Sequence, residues 1–142
     1  MADLMTIGQI GQELNLNDGV RFFCVDYKRN NARIEEVIDL PGGGAELSHA
    51  VDSRVTYQLT LVSIGSTYDL SQSFIDLILT KLGLAEQYTP GGTVAATYFS
   101  VGWANQSIPS TFRVLTGSIP DEDQRLLPNA QIEAHLNIVC SA

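Results

Sequence analysis

The hydrophobic pattern of this chain changes period once, between residues 55 and 83. Val55, Tyr57, Leu59 and Leu61 alternate with Thr56, Gln58 and Thr60, the two-residue period of a half-buried strand. After Gly65-Ser66-Thr67 the spacing widens, and Leu70, Phe74, Leu77, Ile78 and Leu82 fall on one side of a helix. Ser66, Thr67 or Asp69 supplies an N-cap oxygen, and Gly83 can take the left-handed conformation that ends a helix. The pattern therefore predicts a strand over 55–64, then a main helix over about 69–83 that buries its 70/74/77/78 face on a sheet.

Elsewhere the signals are shorter. Leu4, Ile7, Ile10 and Leu14 have helical spacing and predict a short N-terminal helix, weakened by Gly8 and Gly11. Residues 20–27, dense in β-branched and aromatic side chains, read as a strand. Residues 28–32 read as a turn and 33–40 as a second strand, completing a hairpin. Pro41-Gly42-Gly43-Gly44 breaks regular structure. Residues 45–53 read as a mobile loop and 85–92 as an irregular stretch. A strand is expected over 93–103, with Phe99, Val101 and Trp103 on one face, either as core or as an aromatic anchor between subunits. A short strand at 111–115 and a loop at 119–129 follow. Ile132, Ala134, Leu136, Ile138 and Cys140 line one face of a closing strand, and Glu133, His135 and Asn137 the other. With no repeat and no linker, the expected architecture is a single α+β domain over 1–142. It is a mixed or antiparallel sheet with the main helix and the short N-terminal helix packed on one face.

Composition narrows the function. The 142 residues are 44 % hydrophobic and 17 % charged, enough to form a core and against global disorder. A net charge of −8 makes a poor grip for nucleic-acid phosphates, although nucleic acid can slide past such a surface without sticking. Cys24 and Cys140 sit far apart in apolar runs and read as buried free thiols. Residues 1–10 lack the basic start and apolar core of a signal peptide, and no apolar run reaches membrane-spanning length. A soluble protein made in the cytosol, with no membrane partner, is expected.

The candidate chemistry is thin. Asp121-Glu122-Asp123 resembles a metal site at first sight, but hard cations need six or more oxygens converging in space, and three consecutive loop acids do not converge. His135 and Glu133 share a strand face and form a pair able to titrate near neutral pH. Acid–base work would also need a nucleophile or polarised substrate within reach. There is no serine elbow, and no histidine adjoins either cysteine in sequence. The glycine run 42–44 lacks the Lys-Ser/Thr that completes a phosphate loop. Asn105-Gln106-Ser107 matches a glycosylation sequon, which has no meaning in the cytosol. Accordingly no catalytic, cofactor-binding or metal residue is nominated, and the chain reads as a non-enzyme. Four of its eight basic residues, Arg21, Lys28, Arg29 and Arg33, lie in the first hairpin. They form either a positive edge facing an acidic partner or a charged guard against edge pairing. The low charged fraction favours an oligomer.

An N-terminal helix, a hairpin, the strand 55–64, the Gly-Ser-Thr turn, the helix 70–82, the loop from Ile119 to Arg125 and a final strand after Asn129 together resemble a known layout. It is similar to the tail terminator and tail-to-head joining (minor tail) proteins of long-tailed bacteriophages. The resemblance covers most of the chain in layout and rests on no diagnostic motif. It implies a structural virion protein of the tail or neck, made in the host cytoplasm, without catalytic residues or cofactor. Such proteins form rings, commonly hexameric, that cap the tail tube and join it to the head connector. The implied partners are other copies of the chain, tail-tube and head-connector proteins, and DNA passing through the lumen without sequence-specific binding. Part of the −8 charge would line that lumen. The expected contact surfaces are Arg21, Lys28, Arg29 and Arg33 on one subunit, the acidic loop Asp121, Glu122 and Asp123, and exposed strand edges, with loops 41–53 and 84–92 ordering on docking. The alternatives are a head-completion or stopper protein, a tail-tube subunit and, more remotely, a small ligand-binding α+β domain.

Overall fold

The alternation at 55–61 is the middle of a much longer strand. A computed structural model describes the backbone of residues 4–39, 45–103 and 109–141 and the side chains of 4–31, 54–103 and 109–141. Its elements are β1 (Leu4–Gln9), β2 (Leu14–Asn15), β3 (Phe22–Asp39), β4 (Ala45–Ser63), α1 (Tyr68–Glu86), β5 (Thr97–Gly102), β6 (Ser110–Ser118), a 3₁₀ turn (Asp121–Asp123), β7 (Arg125–Leu126) and β8 (Ile132–Ser141). The strands make one antiparallel sheet in the order β2-β1-β5-β6-β8-β4-β3, with β7 added to β8.

The sheet curls until its inner face meets itself. Tyr57 on β4 and Phe99 on β5 have ring centroids 4.7 Å apart, although β6 and β8 lie between their strands. Tyr27 on β3 meets the edge of Trp103, just past β5, at 5.8 Å. Met5, Ile7, Phe22, Leu59, Leu136 and Ile138 fill the interior, all 2 % exposed or less. Helix α1 covers the remaining opening with Ile75, Ile78, Leu82 and Ala85, and Lys81 Nζ donates to the Gln12 carbonyl at 2.8 Å, tying the helix to the β1–β2 turn.

The expected α+β arrangement with two helices is overturned. Strands take about half of the residues and a single helix only 19 of the 142, so this is a mostly antiparallel β protein with one helix. The N-terminal segment is a strand. Its apolar spacing fits a helix, but Met5 and Ile7 are buried by alternation as β1 pairs along its length with β5. Gly8, at φ 149°, lets the chain fold back; a Cβ there would stand 2.7 Å from the Gln12 carbonyl oxygen.

The main helix stands where its period puts it. Thr67 is the N-cap, its Oγ1 accepting from the Leu70 N–H at 3.2 Å, and Asp69 sits in the positive first turn. Two details differ. The helix passes Gly83 and ends at Glu86, because Ala85 is buried in the core and rewards another turn. The buried stripe is Ser71, Ile75, Ile78, Leu82 and Ala85, while Leu70 and Leu77 are each 40 % exposed. Small residues at 71 and 85 allow close approach to the sheet, which turns the bulkier Leu70, Phe74 and Leu77 to the flank beside Phe22, 6.2 Å from Phe74.

The largest correction concerns the hairpin. The expected turn at 28–32 lies inside β3, and the expected mobile loop at 45–53 lies inside β4. The pairing runs from Phe22↔Ser63 to Asp39↔Ala45, with bulges between Cys24 and Asp26, Ile34 and Glu35, and Glu35 and Val37. Polar, turn-forming residues at 28–32 are tolerated because β3 is the terminal strand. β4 leaves β8 at the Arg54↔Ser141 pair. Beyond it, among the described residues, 32–39 and 45–53 pair only with each other, as a two-stranded arm ~30 Å long at strand rise. The Pro41–Gly44 break lies outside the described residues.

Candidate functional site

The hairpin that carries four basic residues does not present them as one positive edge. Alternation sends the neighbours Lys28 and Arg29 to opposite faces, and a bulge at Val25 decides which face each takes. Before it, Phe22 and Cys24 face inward opposite Ser63 and Leu61; after it, Tyr27 and Arg29 stand opposite Leu59 and Tyr57, and Asp26 and Lys28 are thrown outward. Arg21, just before β3, lies 5.8 Å over the Phe74 ring. Arg29 lies 5.2 Å over Phe112 and 6.0 Å over Tyr57, closing the inner mouth of the sheet with a cation on aromatic faces. Lys28 is exposed on the outer face. Arg33 stands opposite Ser53 at the root of the arm, its side chain outside the described residues.

The acidic triplet forms an exposed 3₁₀ turn in which Asp121 accepts from Gln124 Nε2 at 3.4 Å. Asp123 and Lys28 line one outer groove of about 310 Å³, together with Asp26, Thr60 and His135. Thus one acid of the triplet and one hairpin cation are brought together within a single chain. Along this groove runs a polar row. Thr60 Oγ1 is 3.3 Å from His135 Nδ1, His135 Nε2 is 3.7 Å from Glu133 Oε1, and Arg125 Nη2 is 3.4 Å from Glu133 Oε2. The expected His135–Glu133 pair is therefore real, and it serves the surface of the sheet. His49, the second histidine, lies in β4 with its side chain outside the described residues, and the 105–107 sequon lies outside them altogether.

Both thiols are buried and free. Cys24 stands opposite Leu61 and Cys140 opposite Val55, six positions apart along β4, so ~20 Å separates them and no disulfide can form. Burial pushes the Cys24 thiol up despite its contact with the Asp26 carbonyl, and pushes Cys140 up to about 12. Burial likewise raises Tyr57 to about 12, against the opposing pull of Arg29. The Tyr57 hydroxyl is buried with no hydrogen-bond partner among the described residues. None of these groups is poised for chemistry at neutral pH.

Among the described residues, no group of three His, Cys, Asp or Glu side chains is placed to hold a metal ion, and no helix is long and apolar enough to cross a membrane. The open edge of the sheet was hidden from sequence reasoning by the turn-like residues 28–32. The signal that reveals it is β-type patterning on both sides of Pro41–Gly44, as in a hairpin folded about that break. The aromatic run 99–103 splits in the same way: Phe99 and Val101 are core, and Trp103 is 42 % exposed at the mouth beside Tyr27. No known family model matches the chain, and no curated protein matches it.

Proposed function

We propose that this protein is a structural, self-assembling virion subunit: a tail terminator of a long-tailed bacteriophage that forms a ring on the tail tube and joins it to the head connector. The supporting observation is the arm. A two-stranded ribbon with no third strand is marginal in water, yet here ~30 Å of it extends past the last β8 pair. An element of that kind gains its stability on a neighbouring molecule. Heterologous contacts between identical subunits give a closed ring when their rotation closes, and a ring leaves a lumen for DNA to pass without base recognition. The open β3 edge and the exposed Trp103 beside Tyr27 supply further contact surface.

The test is the mass and the image of the purified chain. Sedimentation and electron microscopy should give single six-membered rings, or a monomer that forms rings only on added tail tubes. Long tubes grown from the protein alone would replace the terminator with a tail-tube subunit. A monomer that is unchanged by tubes and stabilised by a small ligand would overturn the reading.

A further inference from the structure

The hairpin is electrically polarised along its length. Its root on β3 carries Lys28, Arg29 and Arg33, while residues 34–53 carry Glu35, Glu36, Asp39, Glu46 and Asp52 and no lysine or arginine. Opposite charges across a ladder are the ordinary way for a hairpin to neutralise itself. The register does not do so. Asp52 faces Ile34, Glu35 faces Ala50, Glu46 faces Ile38, Asp39 faces Ala45 and Arg33 faces Ser53.

The backbone is polarised as well. At the start of β3 the outer edge is closed by the preceding loop, where Gly19 N donates to the Phe22 carbonyl at 3.0 Å and Cys24 N donates to Asn17 Oδ1 at 3.1 Å, and then by the strand's own Asp26, whose Oδ1 accepts from Tyr27 N at 2.9 Å. Past Tyr27 the strand continues as the terminal strand of the sheet, beside the exposed Lys28. On the arm, β4 has left β8, so its second edge over 45–53 is also without a sheet neighbour among the described residues. The free β4 edge of the acidic arm and the free β3 edge at the root, with Lys28 exposed on its outer face, thus sit at opposite ends of one hairpin.

We infer that the partner of this hairpin is a second copy of the chain, bound head to tail: the acidic arm of one copy lies along the basic β3 root of the next. The inference rests on the ring-forming reading and names the contact that builds the ring. The arm's β4 edge adds to the root's β3 edge by strand addition, and the charges set its direction. Arm-to-arm pairing would bring five acids against five. The contact joins unlike surfaces, so it propagates from copy to copy and closes when the rotation allows. The turn Asp121–Asp123 is not the acid that the hairpin cations meet across the interface.

Two charge reversals in the full-length chain test it. The root variant is K28E/R33E, which leaves Arg29 on Phe112; the arm variant is E36K/D39K/E46K. Each alone should self-associate about tenfold or more weakly in sedimentation velocity, and wild-type association should weaken as salt rises. An equimolar mixture of the two should regain association, because each supplies the charge that the other has lost. Should a reversal fail to fold by circular dichroism, the neutral arm variant E36Q/D39N/E46Q carries the test, and it must weaken association and flatten its salt dependence. Wild-type rings that ignore these substitutions, or folded variants that do not recover on mixing, overturn the arm-to-root contact and leave ring formation standing. A wild-type chain that stays monomeric on tail tubes as well overturns both.

Discussion

Tyr57 is the residue on which the interior is most exposed to test. Its ring packs against Phe99 and Phe112, while its hydroxyl is buried without a partner among the described residues. An unmet buried hydroxyl costs about 1–3 kcal/mol, and its removal with the ring kept restores that. Tyr57→Phe should therefore raise the unfolding free energy by roughly 1 kcal/mol or more, read as a higher denaturant midpoint at unchanged slope. The same burial predicts a pH limit. Cys140 rises from 9.0 to about 12 and Tyr57 from 10.0 to about 12 on folding. In both, the folded state holds its proton longer than the unfolded chain. The stability they contribute is complete below pH 9.0 and is lost as pH rises from there through about 12. A melting temperature flat across pH 9.0–12 would contradict this, and Cys140→Ala should flatten part of the slope.

At the scale of elements, the critical joint is helix on sheet. Gly117 on β6 has no room for a side chain: a Cβ would stand 2.7 Å from Leu82 Cδ2 and 2.8 Å from the Asn137 carbonyl oxygen. Gly117→Ala should lift α1 and cost about 1–3 kcal/mol, as overpacking in a core does. Leu82→Ala in the same chain should not rescue it, because the Asn137 carbonyl is backbone and the truncation leaves its own cavity in the core. A second joint is serine on serine. Ser63 Oγ donates to the Ser71 carbonyl at 2.7 Å, and Ser71 Oγ donates to the Ala130 carbonyl at 2.6 Å, locking β4, the first helical turn and the 127–130 turn together. Ser71→Ala should cost about 1–2 kcal/mol in thermal or chemical unfolding. Periodicity located α1 within a few residues and placed Ile78 and Leu82 correctly on its buried face, but apolar spacing put Leu70, Phe74 and Leu77 beside them where the structure puts Ser71, Ile75 and Ala85. The space above Gly117 makes that choice.

Across the whole molecule, the arm is separable from the body. Replacing residues 33–53 by an Asn-Gly turn between Ala32 and Arg54, which pair directly, keeps the β3–β4 ladder down to Phe22↔Ser63. The shortened chain should fold with a melting temperature within a few degrees of wild type, and should not form rings. Rings that persist without the arm would show that the body holds them.

Local pattern by itself determined the strand at 55–61, the helix near 69–83, the closing strand with its buried even-numbered face, and the burial of both cysteines. In each, one face is apolar at a clear period and needs no information from elsewhere in the chain. Other features were decided by tertiary structure alone. The N-terminal segment became a strand because β5 offered an edge to pair with, against its helical spacing. The bulge at Val25 turned Arg29 inward and Lys28 outward, which a count of charges cannot foresee. The hairpin ran on through turn-like residues because a terminal strand loses little there. Whether a run of residues is a loop or an arm depends on the strand across from it, and that strand lies beyond the Pro41–Gly44 break.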